Sequence, residues 1–185
     1  MKTVLKNIAS IQTGLFAKTE TEGDIVYLQV KDFDESGKIS LPLHPDLKLK
    51  SAYDKHLLKP GDVLFAAKGN KNFATFFEHT DEVCVASTSF FVIRLLVENI
   101  LPAFLVLYLN HPSIQKLLKA NAIGTSMASI SKAVLEDLEI SIPDIKTQET
   151  ILRISNLRNK ENQLKQQIEI LRDKQIQQQI INAIK

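Results

Sequence analysis

The stretch TQETILRISNLRNKENQLKQQIEILRDKQIQQQIINAIK, residues 147–185, contains neither proline nor glycine. Its apolar residues form a thin stripe among charged and glutamine side chains, with Glu161 at one stripe position: Ile154, Leu157, Leu164, Ile168, Leu171, Ile176 and Ile180. Consecutive residues of the stripe are three, four, five or seven positions apart, which is typical of the apolar seam of a coiled coil. A long helix gains most of its stability from packing. We therefore predict that residues 146–185 form one spacer helix that dimerises through this stripe.

The composition of the remainder, residues 1–145, is that of an ordinary globular domain. Hydrophobic residues make up 44% of the chain, which is enough to bury a core. The single cysteine, Cys84, excludes a disulfide framework and a multi-cysteine zinc site, and its apolar neighbours favour burial. The first 14 residues lack the apolar segment of a signal peptide, and no stretch is apolar enough to span a bilayer. We expect a cytoplasmic protein without membrane contact.

The net charge of +2 is unevenly distributed along the chain. Residues 147–185 carry seven Lys/Arg and four Asp/Glu and are therefore +3, which leaves the preceding residues near −1. Within that part, residues 46–71 contain six lysines and three aspartates. This local excess suits contact with phosphates, and it suits a solvated surface equally well.

Periodicity and turn residues predict an α+β fold for the globular part. The apolar spacing of residues 4–11 predicts an amphipathic helix that stops at Gly14. Short β-rich runs between turns predict strands at residues 25–30, 63–67, 73–77, 83–86, 89–95 and 138–142. First-turn prolines and hydroxyl caps predict helices that start at Pro102, Pro112, Ser131 and Thr147. The expected fold is a strand-rich domain with short helices, followed by one long coiled-coil helix.

The sequence offers little that could carry catalysis. It lacks the glycine-rich phosphate loops, the HExxH metal motif and the GxSxG nucleophile motif. The four histidines have no metal-ligand spacing on one helix face, so neither a metal nor a cofactor is expected. Cys84 with His79 and Asp81 is the one conceivable nucleophile set, but the apolar run around Cys84 argues for burial instead of activation. We predict a non-catalytic chain.

Several segments, in this order, resemble the specificity subunit of type I restriction-modification systems. Two of them are LKPGDVLFAAKG at residues 58–69 and ASTSFFVIR at residues 86–94. The most specific is the closing set, which combines Gly-Thr-Ser, Ile-Ser, LEISIP and Gln-Glu. The ordered set covers nearly the whole chain: residues 11–14, 27–33, 58–69, 86–94, 100–109, 124–126, 130–131, 135, 138–143, 148–149 and 151.

The resemblance implies a non-catalytic DNA-binding subunit. Residues 1–145 would be a target recognition domain, and residues 146–185 would belong to the conserved spacer. Such subunits bind double-stranded DNA and a DNA methyltransferase subunit, with or without a restriction nuclease subunit. They usually carry two recognition domains and two long helices, whereas this sequence has one of each. It therefore looks like a half-subunit that pairs with itself or with a second half, and the chain being a fragment is the alternative.

Polar loops beside predicted strands are the candidate DNA contacts. The turn after residue 67 offers cations for phosphates and amides for adenine edges, and the loop near residue 125 offers hydroxyls beside a lysine. Each loop could instead serve only as a turn. The candidate residues are Lys18, Lys68, Asn70, Lys71, Asn72, Thr125, Ser126 and Lys132.

Other functions fit parts of the sequence. A coiled-coil adaptor with a protein-binding head would share the long helix, and salt-sensitive retention on duplex DNA would separate the two. A small hydrolase would depend on Cys84. A specificity partner of another phage-defence system would share the DNA-binding head. If the chain pairs with itself, two-fold symmetry predicts an interrupted palindrome as the target.

Overall fold

In the computed structural model the chain divides into two compact units, residues 1–145 and 146–185. We call them the head and the rod. The structure describes residues 2–34, 37–40, 42–69, 72–78, 82–121 and 129–184. Within these residues the head combines strands with helices, and one long helix follows, so the predicted α+β fold class is confirmed.

The elements of the head are short. Its strands are β1 (Lys2–Val4), β2 (Ala9–Thr13), β3 (Val26–Leu28), β4 (Val63–Ala66), β5 (Ala74–Phe76), β6 (Cys84–Ala86), β7 (Phe90–Leu95) and β8 (Glu139–Ser141). The α-helices are α1 (Pro102–Asn110), α2 (Pro112–Ala120), α3 (Lys132–Glu136) and the long α4 (Ile145–Ile184). Short 3-10 segments are formed by Leu5–Asn7, Val30–Asp32 and Ser51–His56.

Among the described residues, four antiparallel strands form the main sheet in the order β2-β7-β4-β5. The middle strands β7 and β4 contain β-branched and aromatic residues, which favour strands. Every residue of β4 is buried. Their side chains pack with β3 and β6, a parallel pair, into a core that includes Phe33, Phe77 and Phe90. A smaller cluster around Tyr27 and Leu47 extends it.

The predicted N-terminal helix over residues 4–11 is wrong. The segment forms β1, a 3-10 turn and β2. β1 pairs with β8, and β2 pairs with β7 along its whole length, from Ala9 opposite Leu95 to Thr13 opposite Phe91. Within β2, Ala9 and Ile11 are buried while Ser10 is exposed, which is the alternation of a strand at a sheet edge.

Most other predicted elements are confirmed, with shifts of a few residues at their ends. The starts at Pro102 and Pro112 are as expected, and the Ser131 hydroxyl accepts a hydrogen bond from the Val134 N–H, as a cap should. Thr147 is not the cap of the long helix, because α4 already begins at Ile145. The 3-10 helix at Ser51–His56 was not predicted.

A buried ion pair fixes the turn before β4. Asp62 is 2% exposed, and its two carboxylate oxygens accept hydrogen bonds from Nε and Nη2 of Arg94 at 2.7 and 2.6 Å. The Lys59 N–H donates to the same carboxylate at 2.8 Å. Gly61 completes the turn with φ of 91°, which favours glycine. The turn and β7 are thereby held together by charge-assisted hydrogen bonds.

The side chain of Asn110 forms hydrogen bonds with the free edge of β5, the outer strand of the main sheet. The Asn110 amide, at the end of α1, donates to the Ala74 carbonyl at 2.7 Å and accepts from the Ala74 N–H at 2.8 Å. These are the bonds that a further strand would make with β5. Asn110 thus occupies part of an edge that would otherwise be open to another chain.

Candidate nucleic-acid interface

The topology of the main sheet collects several loops at one end. β2 and β4 run in the same direction on either side of the antiparallel β7, with Thr13 opposite Phe91 and Ala66 opposite Phe90. The segments that follow β2 and β4 therefore leave the sheet where β7 begins. β5 begins there too, because Ala74 pairs with Phe65. We call the polar and exposed residues at this end the sheet-end surface: Phe16, Lys18, Thr19, Lys31, Lys68, Asn72, Ser87, Thr88 and Ser89.

Backbone contacts fix the segment that leaves β2. The Gly14 N–H donates to the Phe90 carbonyl at 3.0 Å, and the Leu15 N–H donates to the Ala86 carbonyl at 2.7 Å. A Cβ atom at Gly14 would lie 2.1 Å from the Ser87 carbonyl oxygen, so no larger residue fits there. Gly14 had been interpreted as a helix stop, but the structure gives it a different role. It lets two backbones approach closely and so positions the residues that follow.

A polar cleft of about 530 Å³ opens beside this segment. Lys18 and Lys31 bring positive charge to it, and Gln29 brings an amide. Its other walls are largely hydroxyl-bearing or aromatic, with Thr19, Tyr27, Ser87, Thr88, Ser89 and Phe16 among them. Lysine and hydroxyl side chains are the groups that commonly contact DNA phosphates.

One hydroxyl in the cleft wall has no partner in the part of the chain that the structure describes. Ser87 is buried, and its Oγ makes no hydrogen bond there. A buried hydroxyl without a hydrogen bond costs about 1–3 kcal/mol. A buried water molecule would satisfy it.

The hairpin between β4 and β5 contributes the next part of the surface. Lys68, which the sequence predicts as a phosphate contact, is exposed two residues after the end of β4. Asn72 is partly buried, and its Nδ2 donates to the Ala66 carbonyl at 2.9 Å. This bond shapes the hairpin and occupies one of the amide's donors. Asn70 and Lys71 lie outside the described residues.

Lys132 is connected to this end of the sheet through the chain that precedes it. The Ala67 N–H donates to the Ser89 carbonyl at 2.9 Å, and the Ala67 carbonyl accepts from the Ile130 N–H at 3.1 Å. Lys132 follows at the start of α3, where its ammonium lies 3.3 Å from the Glu136 carboxylate. Its charge is therefore partly compensated. Thr125 and Ser126 lie outside the described residues.

Several residues of this surface were not predicted from the sequence. Lys31, Phe16 and the three hydroxyl residues 87–89 were not among the candidate contacts, although residues 87–89 belong to a segment that resembled the family. A run of three hydroxyl residues between two apolar strands was the available signal. For Phe16, the available signal was an aromatic residue within a polar loop.

The rod leaves its apolar stripe uncovered within the single chain. Each of the seven stripe residues is exposed, from Ile180 at 46% to Leu157 at 67%. Glu161, within the stripe, forms an ion pair of 2.6 Å with Lys165 one turn later. That hydrogen bond and the positive charge of Lys165 lower the pKa of Glu161.

The structure gives no support to a cysteine nucleophile. Cys84 is 1% exposed within β6, which confirms the predicted burial. His79 and Asp81 lie outside the described residues. Within the described ranges, no three His, Cys, Asp or Glu residues form a group that could hold a metal ion. None of the helices in those ranges is long and apolar enough to cross a membrane.

Comparison with solved structures identifies relatives of the same fold. A chain from a study of complex assembly and conformational transition of the type I R-M system matches with a TM-score of 0.62 at 18% identity. The HsdS subunit from Thermoanaerobacter tengcongensis matches with 0.59 at 17% identity, and the type I S subunit from M. genitalium with 0.56 at 17% identity. At these identities the likeness shows the fold.

Each match covers most of this chain but a smaller share of the solved chain. It includes 87%, 87% and 86% of this chain, respectively, but 38%, 37% and 39% of those chains, so this chain spans less than half of each. No curated protein sequence matches it. The model of the type I restriction modification DNA specificity domain matches residues 4–170, which include the sheet-end surface and much of the rod. The chain belongs to the family of type I restriction modification DNA specificity domains.

Proposed function

We propose that this chain is the DNA-recognition subunit of a type I-like restriction-modification system. Its head, residues 1–145, binds one half of a bipartite duplex target, and its rod, residues 146–185, pairs with a second rod. The chain is itself non-catalytic and works in the cytoplasm. It positions a DNA methyltransferase subunit, with or without a restriction nuclease subunit. The single observation that carries the proposal is the sheet-end surface, formed by lysines and hydroxyls on a head of the specificity-domain family.

The head binds DNA with a division of labour among the residues of this surface. Lys18 and Lys68 are exposed and contact phosphates, which fixes the orientation of the duplex. Asn72 supports the hairpin and offers its remaining amide capacity to base edges. Lys132 contributes charge in competition with Glu136. We also propose Asn70, Lys71, Thr125 and Ser126, which lie outside the described residues, as DNA contacts.

The rod pairs with an identical rod in the antiparallel direction. From Ile154 to Leu171 the stripe positions are symmetric about the midpoint between Asn162 and Gln163. In a two-fold antiparallel pair, residues at equal distances from the axis face each other. Leu157 then faces Ile168 and Ile154 faces Leu171, while Leu164 lies opposite Glu161 of the other rod. This self-complementarity favours a homodimer over pairing with an unlike half.

The pairing sets the spacing of the two heads. A helix of 40 residues is roughly 60 Å long at about 1.5 Å per residue. Two heads joined by such rods contact half-sites separated by more than one turn of duplex, which is about 34 Å. Because a homodimer is two-fold symmetric, its target is an interrupted palindrome.

Duplex binding at graded salt tests the proposal. The wild-type protein should bind duplex DNA, and its affinity should fall steeply as salt rises. Lys18→Ala and Lys68→Ala should each weaken binding to all sequences and reduce the salt slope by about 1. Lys59→Ala is the matched control, because this exposed lysine lies in the turn before β4, at the opposite end of the sheet.

Two outcomes would contradict this function. A wild-type protein that does not bind duplex DNA at low salt would favour a protein-binding head on a coiled-coil adaptor. Equal slopes for the wild type and for both sheet-end variants would remove Lys18 and Lys68 as phosphate contacts. Lys59→Ala should behave like the wild type.

A further inference from the structure

Phe16 is the most exposed large hydrophobic residue among those the structure describes. Its exposed fraction is 87%, compared with 66% for Leu96 and about half for Leu49 and Leu117 elsewhere in the head. A phenylalanine ring in water is unfavourable, because burying such a side chain is worth about 1.5–3 kcal/mol. The ring is therefore available for an apolar contact with a partner.

The backbone holds this ring in a defined place. Gly14 and Leu15, directly before it, are fixed by hydrogen bonds to Phe90 and Ala86. The Tyr27 hydroxyl donates to the Leu15 carbonyl at 2.8 Å, and this bond is buried. Phe16 thus follows a rigid segment, and its exposure is a property of the fold. Because this backbone is already fixed, little backbone ordering free energy is lost when a partner contacts the ring.

The surroundings of the ring indicate what the partner is. Phe16 lines the same cleft as Lys18, Lys31 and the hydroxyl residues 87–89. A partner that docks here meets positive charge, hydroxyl donors and one aromatic face together. A nucleic-acid strand combines the matching features, since it has anionic phosphates, hydrogen-bonding base edges and apolar base surfaces.

We propose that Phe16 is a base-contacting residue that helps to determine which DNA sequence the head prefers. Its ring lies against the apolar surface of a base, such as a thymine methyl group in the major groove. Lys18, Lys31 and the cleft hydroxyls hold the phosphates of the same strand. The inference rests on the proposed function, and it assigns to the sheet-end surface a specificity role in addition to the electrostatic one.

Selection of bound sites from random duplexes tests the inference. Wild type, Phe16→Ala and Leu96→Ala are compared as full chains. Leu96 is the matched control, because it is an exposed large hydrophobic residue directly after β7, at the opposite end of the same sheet. Phe16→Ala should lose the preference at one or two adjacent positions of each half-site. Its affinity for the wild-type site should fall by about tenfold, within the range for one lost base contact.

The salt slope separates this role from a phosphate contact. Phe16→Ala removes no charge, so its slope should equal that of the wild type, whereas Lys31→Ala should reduce the slope by about 1. Equal thermal melting of the Phe16→Ala variant and the wild type confirms that the fold is intact, as expected for a change at an exposed position.

The outcomes decide between distinct alternatives. If Phe16→Ala selects the same sites as the wild type, the inference is overturned while the proposed function stands. The same holds if Phe16→Ala weakens binding to every sequence equally, because the ring then contacts no particular base. If the wild type itself shows no salt-dependent duplex binding, the failure is that of the proposed function.

Discussion

The head and the rod treat their apolar residues in opposite ways. The head buries them within its own fold, and side chains such as Phe65, Phe90 and Leu105 have an exposed fraction of zero. In the rod, all seven stripe residues remain exposed within one chain. The head is therefore stabilised by its own contacts, whereas the stripe of the rod has no cover within one chain. The comparison implies that stability and assembly can be changed separately, each by substitutions in one unit.

The two units also differ in how they use charge. The head buries the carboxylate of Asp62 and satisfies it with the bidentate Arg94. In the rod, the ion pairs of Glu161 with Lys165 and of Glu169 with Arg172 join exposed groups one turn apart. Exposed pairs of this kind contribute at most about 0.5 kcal/mol. Charge thus stabilises the fold of the head, while in the rod it mainly keeps the helix surface solvated.

The largest expected effect is on pairing of the rod. Leu164→Asp places a carboxylate opposite Glu161 of the other rod, near the centre of the proposed antiparallel pair. The dimer dissociation constant should rise at least about a hundredfold, as for the loss of a central contact. Sedimentation equilibrium over a range of concentrations measures it. Unfolding of the head should be unchanged.

A matched variant makes this result specific. Gln166→Asp introduces the same charge two residues later, on the opposite face of the helix, and should leave the dimer intact. A Leu164→Asp chain with the mass of the wild-type dimer would show that the stripe is not the pairing surface.

The second effect is on the stability of the head. Arg94→Ala removes the partner of the buried Asp62 carboxylate and should lower the free energy of unfolding by about 3 kcal/mol. Hydrogen bonds to Asp62 raise the pKa of Arg94, as expected when the charged form is stabilised. Urea unfolding followed by circular dichroism measures the change, and pairing of the rod should persist.

The control for this prediction is an ion pair of the same length on the surface. Lys6 lies 2.6 Å from Asp137, and both side chains are more than half exposed. Lys6→Ala should lower the free energy of unfolding far less than Arg94→Ala does, because solvent screens the exposed pair. Equal losses for Lys6→Ala and Arg94→Ala would contradict the argument that burial makes the difference.

The smallest effect is a pH dependence of the head. Partial burial lowers the pKa of His56 below 6.5, and the charge of Lys55 lowers it further. Its Nδ1 lies 2.8 Å from Nε2 of Gln12, so that the neutral ring can accept a hydrogen bond from the amide. The unfolded chain binds the proton more tightly, so stability should fall as the pH drops through 6.5.

Comparison with a variant isolates this contribution. The urea midpoint of the wild type should decrease from pH 7.5 to pH 5, and His56→Gln should reduce that decrease. The shift should be smaller than the one caused by Arg94→Ala. An identical pH profile for the wild type and His56→Gln would exclude His56 as its source.

The sequence predicted those elements whose ends carry local signals. Pro102, Pro112 and Ser131 mark helix starts by their own chemistry, and the apolar run before Lys68 can only be a buried segment. The stripe of the rod predicted its helix in the same way. Residues 4–11 were misread because apolar side chains at positions 4, 5, 8 and 11 fit a helix as well as two short strands around a turn. The segment forms strands because it pairs with β7 and β8, which are distant in sequence.

The candidate surface was predictable only in part. Lys18 and Lys68 were recognised because lysines in polar loops beside strands suit phosphates. Phe16 and Ser87 carry no such signal until the strand order β2-β7-β4-β5 brings their segments together. That order depends on pairing across about eighty residues of sequence, as between Ser10 and Arg94. A single sequence contains no local pattern that specifies such pairing.

The pairing of β1 with β8 has a consequence for how this domain can be rearranged. Thr3 lies opposite Ile140, so the polypeptide enters and leaves the head on adjacent strands. A module whose two ends meet can be exchanged between proteins, or inserted in tandem, with little distortion of what it is joined to. Grafting residues 2–141 from one relative onto the spacer of another is therefore a direct route to hybrids with new target sequences.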